Sequence, residues 1–406
     1  MRKGIIGLAA LALLAAAVAS TTAFARPSHQ ASAQKVSPAC KKAGFGLASI
    51  LSGPAASLGL DQVHWAQVFL TYWNSNKPMV GVPKGLKRTP LKIAAIGDSA
   101  LDPQKAATVA GQMLSNKKVL AMVGFAGSNE NLGGGPVLDR GGLVYVTPSA
   151  TRDDLAQHLK YLYRVVPANI AQATITTSYL LKKGLVKKGE QAMVVDDAEA
   201  YGANQADDVQ KLLEAAGVKV DRESQPESTS AATADFTALA NKAVAIHARL
   251  VFAPTQVASD SQLFAQQLKS SGYSGLFSAA DGSFDSTKFS FSGAFVSYFG
   301  ADVTKVGVAK PYVANFKKRY GATLGFGPPT FTAEEMVAIA ISKSCADGKT
   351  SRAEVRKRLP KVKISNSILG IPIAFNNQHD LFRSPTKGVS LFQVQSDGSY
   401  KLVASS

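Results

Sequence analysis

The chain has 406 residues, with 45 Lys and Arg against 28 Asp and Glu, and 46% of its residues are hydrophobic. That apolar content can bury a large core, which excludes a globally disordered chain, and the length suggests two domains rather than one. The formal charge of +17 invites a nucleic-acid reading, but the basic residues are spread along the chain without interleaved aromatics, so nucleic acid is not an expected partner.

Residues 1–25 read as a secretory signal peptide. Arg2 and Lys3 precede an apolar run over 4–19, and Ala23, Phe24 and Ala25 make a small-x-small cleavage pattern before Arg26. The run falls short of the roughly 20 residues that a membrane-spanning helix needs. Export places the protein in the periplasm or another extracytoplasmic compartment, and leaves 43 basic against 28 acidic residues, or +15. Residues 26–42, rich in Ser, Ala, Gln and Pro, predict a flexible lead. Two cysteines follow, Cys40 and Cys345. Export makes a disulfide between them permissible and the even count makes it possible.

From about residue 43, short apolar runs alternate with helical patterns. Strands are predicted at 46–51, 91–96, 119–123 and 144–147, with helices at 54–74, 103–114 and near 135–139. After a linker at 165–168 the alternation restarts, with helices at 170–183, 202–216, 235–247 and 259–271. Strands fall at 191–195, 218–222, 250–253 and 275–278. This spacing describes two successive doubly wound α/β halves with parallel sheets. The densest basic run, 352–363, predicts a solvated helix face or, as the lesser reading, attraction to an anionic envelope surface.

The tips behind two of these strands carry Gly127, Ser128 and Asn129, and Thr147, Pro148, Ser149, Ala150 and Thr151. Ligands of open α/β sheets sit past the carboxyl ends of strands, and small residues there leave N–H and hydroxyl donors for an anion. The same Ser and Thr residues could instead cap helices. Asp281 could equally turn Asp281-Gly282, and Tyr201 could pack over the turn before Gly202.

Three stretches in order, SGPAASLG at 52–59, TPSATRDDL at 147–155 and DDAEAYGANQADDVQ at 196–210, resemble the leucine/isoleucine/valine-binding proteins, the type I periplasmic solute-binding family of ABC importers. The likeness runs from about residue 44 to about 403. It implies two parallel-sheet lobes joined by a multi-crossing hinge, with lobe 1 made of 43–166 and 301–376 and lobe 2 of 167–300 and 377–406. It implies a return to lobe 1 near 298–302, helices there at 310–320 and 329–345, a last passage near 374–381, and closing strands at 389–394 and 400–403. It also implies a monomer that closes over one small amino acid, or a related carboxylate, and delivers it to ABC permease subunits in the membrane.

Matched by position, Ser128 and Thr151 would give hydroxyls to the ligand carboxylate, helped by backbone at Ser149 and Thr151, and Ala150 between them would belong to the same ligand-binding set. Tyr201 would close over the ligand, and Asp281 would pair with its α-ammonium. Leu58 and Asn129 would belong to the pocket wall. The resemblance puts Cys40 ahead of the first strand and Cys345 at the end of a helix in the same lobe. The chain departs from the family in having Leu58 where many members carry an aromatic, Asp281 where a Glu is often found, and no cysteine at about Ser99 and Gly127, where some members carry a cleft disulfide. The ligand side chain is therefore open.

No catalytic, metal or cofactor site is expected. Five His (His29, His64, His158, His247, His379) are scattered, there is no Gly-x-Ser-x-Gly elbow, and Gly133-Gly134-Gly135-Pro136 lacks the Lys-Ser/Thr of a phosphate loop. An exported enzyme and a ligand-sensing subunit for a membrane receptor are the alternatives.

Overall fold

The computed structural model describes residues 38–41, 43–75, 77–226, 234–348, 350–381 and 388–406, and its first element is a short helix, α1 (Pro38–Lys41). The signal at 1–25 and most of the lead at 26–42 lie outside the described residues. What is described of the lead is not a free tether: Cys40 is buried and bonded to Cys345, with Cα atoms 5.7 Å apart.

Strands and helices then alternate as β1 (Gly44–Ser49), α2 (Ala56–Trp73), β2 (Lys92–Asp98), α3 (Pro103–Ser115), β3 (Val119–Val123), α4 (Ser128–Gly141), β4 (Tyr145–Thr147), α5 (Leu155–His158) and β5 (Leu162–Arg164). Their strands make one parallel sheet in the order β2-β1-β3-β4-β5. The chain continues through α6 (Asn169–Lys182), β6 (Gln191–Asp196), α7 (Ala200–Ala215), β7 (Lys219–Ser224), α8 (Thr237–Ala245), β8 (Leu250–Ala253), α9 (Ala258–Ser270), β9 (Leu276–Ala279) and β10 (Phe295–Tyr298). It returns to pack α10 (Lys310–Tyr320) on α2 and α11 (Gly327–Ala346) and α12 (Arg352–Arg358) on the first sheet, then adds β11 (Ser390–Val394) and β12 (Tyr400–Ser405) to the second. That sheet runs β12-β11-β10-β9-β8-β6-β7 and is parallel except for the antiparallel β11 and β12. The architecture is two parallel-sheet lobes with three chain crossings.

The first lobe is held by an aromatic stripe on α2. Trp65, Phe69 and Trp73 recur every four residues, so they share one face, and all are fully buried. Trp65 stacks on Phe316 of α10 at 5.0 Å, and Phe69 meets Phe331 of α11 edge-on at 5.3 Å. Val63, Ala66, Val68 and Leu70 flank this stripe, with Ala66 and Val68 buried and Val63 and Leu70 partly so. Gly59 lets α2 start against the end of β1, since a Cβ there would lie 1.8 Å from the Ile50 carbonyl oxygen.

Two expectations are corrected. The helix placed near 135–139 is α4 and begins at Ser128. Its glycines hide it, because Gly is a poor helix former, yet a Cβ at Gly134 would sit 2.3 Å from the Phe125 ring. Close packing, not turn chemistry, requires them. The basic run 352–363 is not simply a solvated face either. Arg352 donates to the carbonyls of Met113, Leu114, Asn116 and Val119 at 2.9 to 3.1 Å, around the carboxyl end of α3. Arg356 reaches the Gly142 carbonyl at 2.6 Å and lies 4.7 Å over Tyr161. Helix carboxyl ends attract cations, and here the cation comes from a helix more than two hundred residues later.

At the crossings, Arg164 is 1% exposed and pairs with Asp380 at 2.6 Å, while its backbone N–H bonds the His379 carbonyl at 3.2 Å. The first and last crossings are thereby tied side by side. No described helix is long and apolar enough to cross a membrane.

Candidate ligand-binding site

The carboxyl ends of the parallel strands of both sheets face a common cleft. From the first lobe come Ile50 after β1, Leu58 on the first turn of α2, Leu101 after β2, Ser128 at the start of α4 and Ser149 after β4. From the second come Tyr201 on α7, Gln256 after β8, and Asp281 and Gly282 after β9. With Ala55, Ala126, Gly127 and Phe326 they line one narrow cavity between the lobes. Five of the residues expected at the ligand, Leu58, Ser128, Ser149, Tyr201 and Asp281, therefore share one cavity. Asn129, Ala150 and Thr151 lie outside its lining.

The hydroxyls differ in what they can still donate. Ser149 Oγ donates to the Ala126 carbonyl at 2.9 Å and accepts from Gln62 Nε2 at 2.8 Å, while Gln62 Oε1 accepts from Ser49 Oγ at 2.5 Å. A hydroxyl has one proton, so Ser149 has none left for a ligand. Ser128 Oγ only accepts, from the Arg152 N–H at 3.2 Å, and keeps its proton at the cavity. Thr151 Oγ1 is buried without a partner. Ala150 uses its N–H on Thr147 Oγ1 at 3.1 Å.

On the opposite wall, Asp281 Oδ1 accepts from Gln172 Nε2 at 2.5 Å and from the Tyr201 hydroxyl at 2.8 Å. Gln172 is itself held by Ser297, whose hydroxyl donates to Oε1 at 2.9 Å, and Tyr201 accepts from the Gly282 N–H at 3.2 Å. The tyrosine thus orients the acid as well as covering the cavity. Burial pushes the Asp281 carboxyl up to about 6, against the lowering effect of the Gln172 and Tyr201 donors.

Glu130, absent from the expected set, stands behind the first wall. It is fully buried, takes the Ser99 hydroxyl and accepts the Gly127 N–H at 2.5 Å, and burial pushes it up to about 7. It lies three residues after Gly127, the spacing at which a carboxylate reaches back to the N-cap N–H, but with Gly at the cap the sequence carried no full capping-box signature. Gln172, Gln256 and Phe326 had no sequence signal, since each comes from an element whose approach depends on the crossings.

The lobes touch on both sides of the cavity. Asn129 accepts the Ala200 N–H at 2.8 Å and donates to Glu199 at 2.5 Å. On the other side, Ser57 donates to Asp285 at 3.0 Å and Lys288 to the Pro54 carbonyl at 2.7 Å. Asn129, expected in the pocket wall, is a bridge between lobes. Among the described residues no group of three or more His, Cys, Asp or Glu is placed to hold a metal ion.

One lobe thus brings the unspent hydroxyl of Ser128 to the cavity and the other brings the oriented acid of Asp281. The chain belongs to the periplasmic binding protein family, whose pattern matches residues 43–399. It is similar to the Leu/Ile/Val-binding protein homolog 3 of Brucella melitensis, 26% identical over 331 residues that cover 80% of this chain and 85% of the relative. Its fold is similar to that of a leucine binding protein from Thermotoga maritima, with a TM-score of 0.75, 19% identity, and coverage of 89% of this chain and 98% of that one. It is also similar to an ABC transporter solute binding protein from Rhodopseudomonas palustris in complex with 3,4-dihydroxy benzoic acid, with a TM-score of 0.72, 18% identity, and coverage of 89% and 96%. Each of these three is a binding protein by name.

Proposed function

We propose that the protein captures one small apolar α-amino acid, of the branched-chain type or close to it, in the interlobe cleft and presents it to an ABC permease. The observation that carries this reading is the opposition, in one cavity, of Ser128 with a free hydroxyl proton and Asp281 with an oriented carboxylate. An amino acid needs a donor at one end and an acid at the other. Its carboxylate would lie at the amino end of α4, where the helix leaves N–H groups unpaired, beside the Ser128 hydroxyl. Its ammonium would meet Asp281, and its side chain would face Ile50, Leu58, Leu101 and Phe326. Neither lobe alone can satisfy both ends, so binding favours the closed arrangement through its differential affinity, as in the hinge-closing periplasmic binders.

A carboxylate without an amine is the second reading. It is favoured by the donors that Asp281 already holds, which leave less need for a ligand cation. Calorimetric titration with the common amino acids, their amides, their keto-acid analogues and hydroxybenzoates distinguishes the two. Heat from apolar amino acids is expected. Silence from them with heat from hydroxybenzoates moves the ligand to the second class, and silence throughout sinks both.

A further inference from the structure

The positive charge of this chain is not shared between its halves. Residues 43–166 and 301–376 carry 25 Lys and Arg against 12 Asp and Glu, whereas residues 167–300 and 377–406 carry 14 against 16. Four acids of the first set, Asp61, Glu130, Glu334 and Glu335, are buried, so the outward imbalance is greater still.

Much of that charge gathers on one side of α2. The loop between α2 and β2 supplies Lys77, Lys84, Lys87 and Arg88, the first residue of β2 is Lys92, and the segment leading into and through α10 supplies Lys305, Lys310, Lys317, Lys318 and Arg319. Residues 77–92 and 303–320 contain no Asp or Glu, and Asp302, just ahead of the second stretch, is bonded to the Thr304 N–H and hydroxyl. All the cations but Arg88 are exposed. Among the described residues none of the ten forms an ion pair. The fold seats both segments on the second half of α2. The Tyr72 hydroxyl donates to the Pro311 carbonyl at 3.0 Å, and the Val80 N–H donates to the Tyr312 hydroxyl at 3.0 Å. Arg319 reaches Thr71 at 3.3 Å and Arg88 the Tyr72 carbonyl at 3.4 Å. Half-buried Tyr72 and Tyr320 sit among the cations, and Val308, between Lys305 and Lys310, is 37% exposed.

We propose that this face of the first lobe is a docking surface for an anionic lipid bilayer, holding the protein beside the membrane in which its ligand is handed over. Ten unpaired cations with no acid among them carry a same-sign field that must attract an anionic partner. Eight of the ten are Lys, the residue depleted in protein–protein interfaces, where Arg is enriched. A compact ammonium on a flexible stem cannot make the planar paired contacts of Arg. It suits a surface whose phosphates are fluid and undirected, and juxtamembrane Lys clusters act on anionic lipid in this way. Tyrosines and an exposed aliphatic residue among the cations match the chemistry of a headgroup region, where amphipathic side chains gather.

The test is co-sedimentation of the chain, as recovered from an exporting host, with vesicles of phosphatidylcholine alone or mixed with phosphatidylglycerol. Binding to the mixed vesicles is expected at low salt, with loss at about 0.5 M salt, where the screening length falls below about 5 Å. A variant carrying Lys84→Gln, Lys87→Gln, Lys317→Gln and Lys318→Gln should bind at least about tenfold more weakly, while its ligand titration is unchanged. A variant with Lys182→Gln, Lys183→Gln, Lys187→Gln and Lys188→Gln, equal in charge but on the second lobe, should bind as the parent does. Equal binding to neutral vesicles, or equal loss in both variants, overturns the proposal. So does absence of vesicle binding in a protein that poly-glutamate retains through the first-lobe lysines, which would make the face one for an acidic protein.

Discussion

Asn129, at the second position of α4 in the first lobe, caps the amino end of α7 in the second: it accepts the Ala200 N–H at 2.8 Å and donates to the Glu199 carboxylate at 2.5 Å. Helix α7 has no side-chain cap of its own, so the cap exists only while the lobes are together. A helix cap contributes about 1 kcal/mol, and this one contributes it to closure. Asn129→Ala should weaken ligand binding severalfold and enlarge the radius of gyration of the ligand-free protein in small-angle scattering. Unchanged scattering and affinity would show that the bridge is incidental.

Asp281 should decide between ligands with and without an amine. Asp281→Ala is expected to cost an α-amino acid on the order of 3–5 kcal/mol, because a buried charge loses its partner, and to cost a desamino isostere far less. The carboxyl is pushed up to about 6, and it must be ionised to pair with an ammonium. Affinity for the amino acid should therefore fall as pH drops through about 6, while that for the isostere stays level. Calorimetry of both ligands across that range checks the sign, and parallel curves would make Asp281 structural.

The interface between Asp208 on α7 and Asp153 of the first lobe should make stability fall with rising pH. Asp153 is held by the Ile170 N–H at 3.1 Å and Asn204 at 3.3 Å, with Asp207 and Lys211 close by. Burial and the facing Asp153 push Asp208 up to about 8. The folded state then keeps a proton that the unfolded chain releases near pH 4. This contribution is full below about pH 4 and is lost as pH rises through about 8. Urea midpoints should decline over that window, and Asp208→Asn, which retains a donor towards Asp153, should flatten the decline. An equal slope in the variant would locate the effect elsewhere.

The bond between Cys40 and Cys345 spans 305 residues of sequence, and a loop of that length is worth roughly 6 kcal/mol on the chain-entropy model. Thiol titration of denatured, unreduced protein should find no free thiol. Reduction, or Cys345→Ser, should lower the unfolding midpoint without altering ligand affinity, since α1 and the end of α11 lie away from the cleft residues. Two free thiols would refute the pairing in the exported protein.

What the sequence by itself determined is what depends on neighbours along the chain. Period-2 and period-3.6 patterns located most strands and helices, because a buried strand or an amphipathic helix repeats its apolar residues locally. The strand-end loops bearing Ser128, Ser149 and Asp281 could be recognised for the same reason: the carboxyl edge of a parallel sheet is where the chain turns. The tertiary structure decided what meets across the crossings. It withdrew Ser149's hydroxyl from the ligand by bonding it to Ala126 and Gln62, moved Asn129 from the pocket wall to the lobe interface, and turned Tyr201 onto Asp281. It also set Arg352 on the end of α3 and brought 77–92 beside 305–319. None of these contacts leaves a local periodicity, because each partner comes from a segment that the chain reaches only after folding back between lobes, and a side chain's spare proton or unpaired charge is defined only once its neighbours are in place.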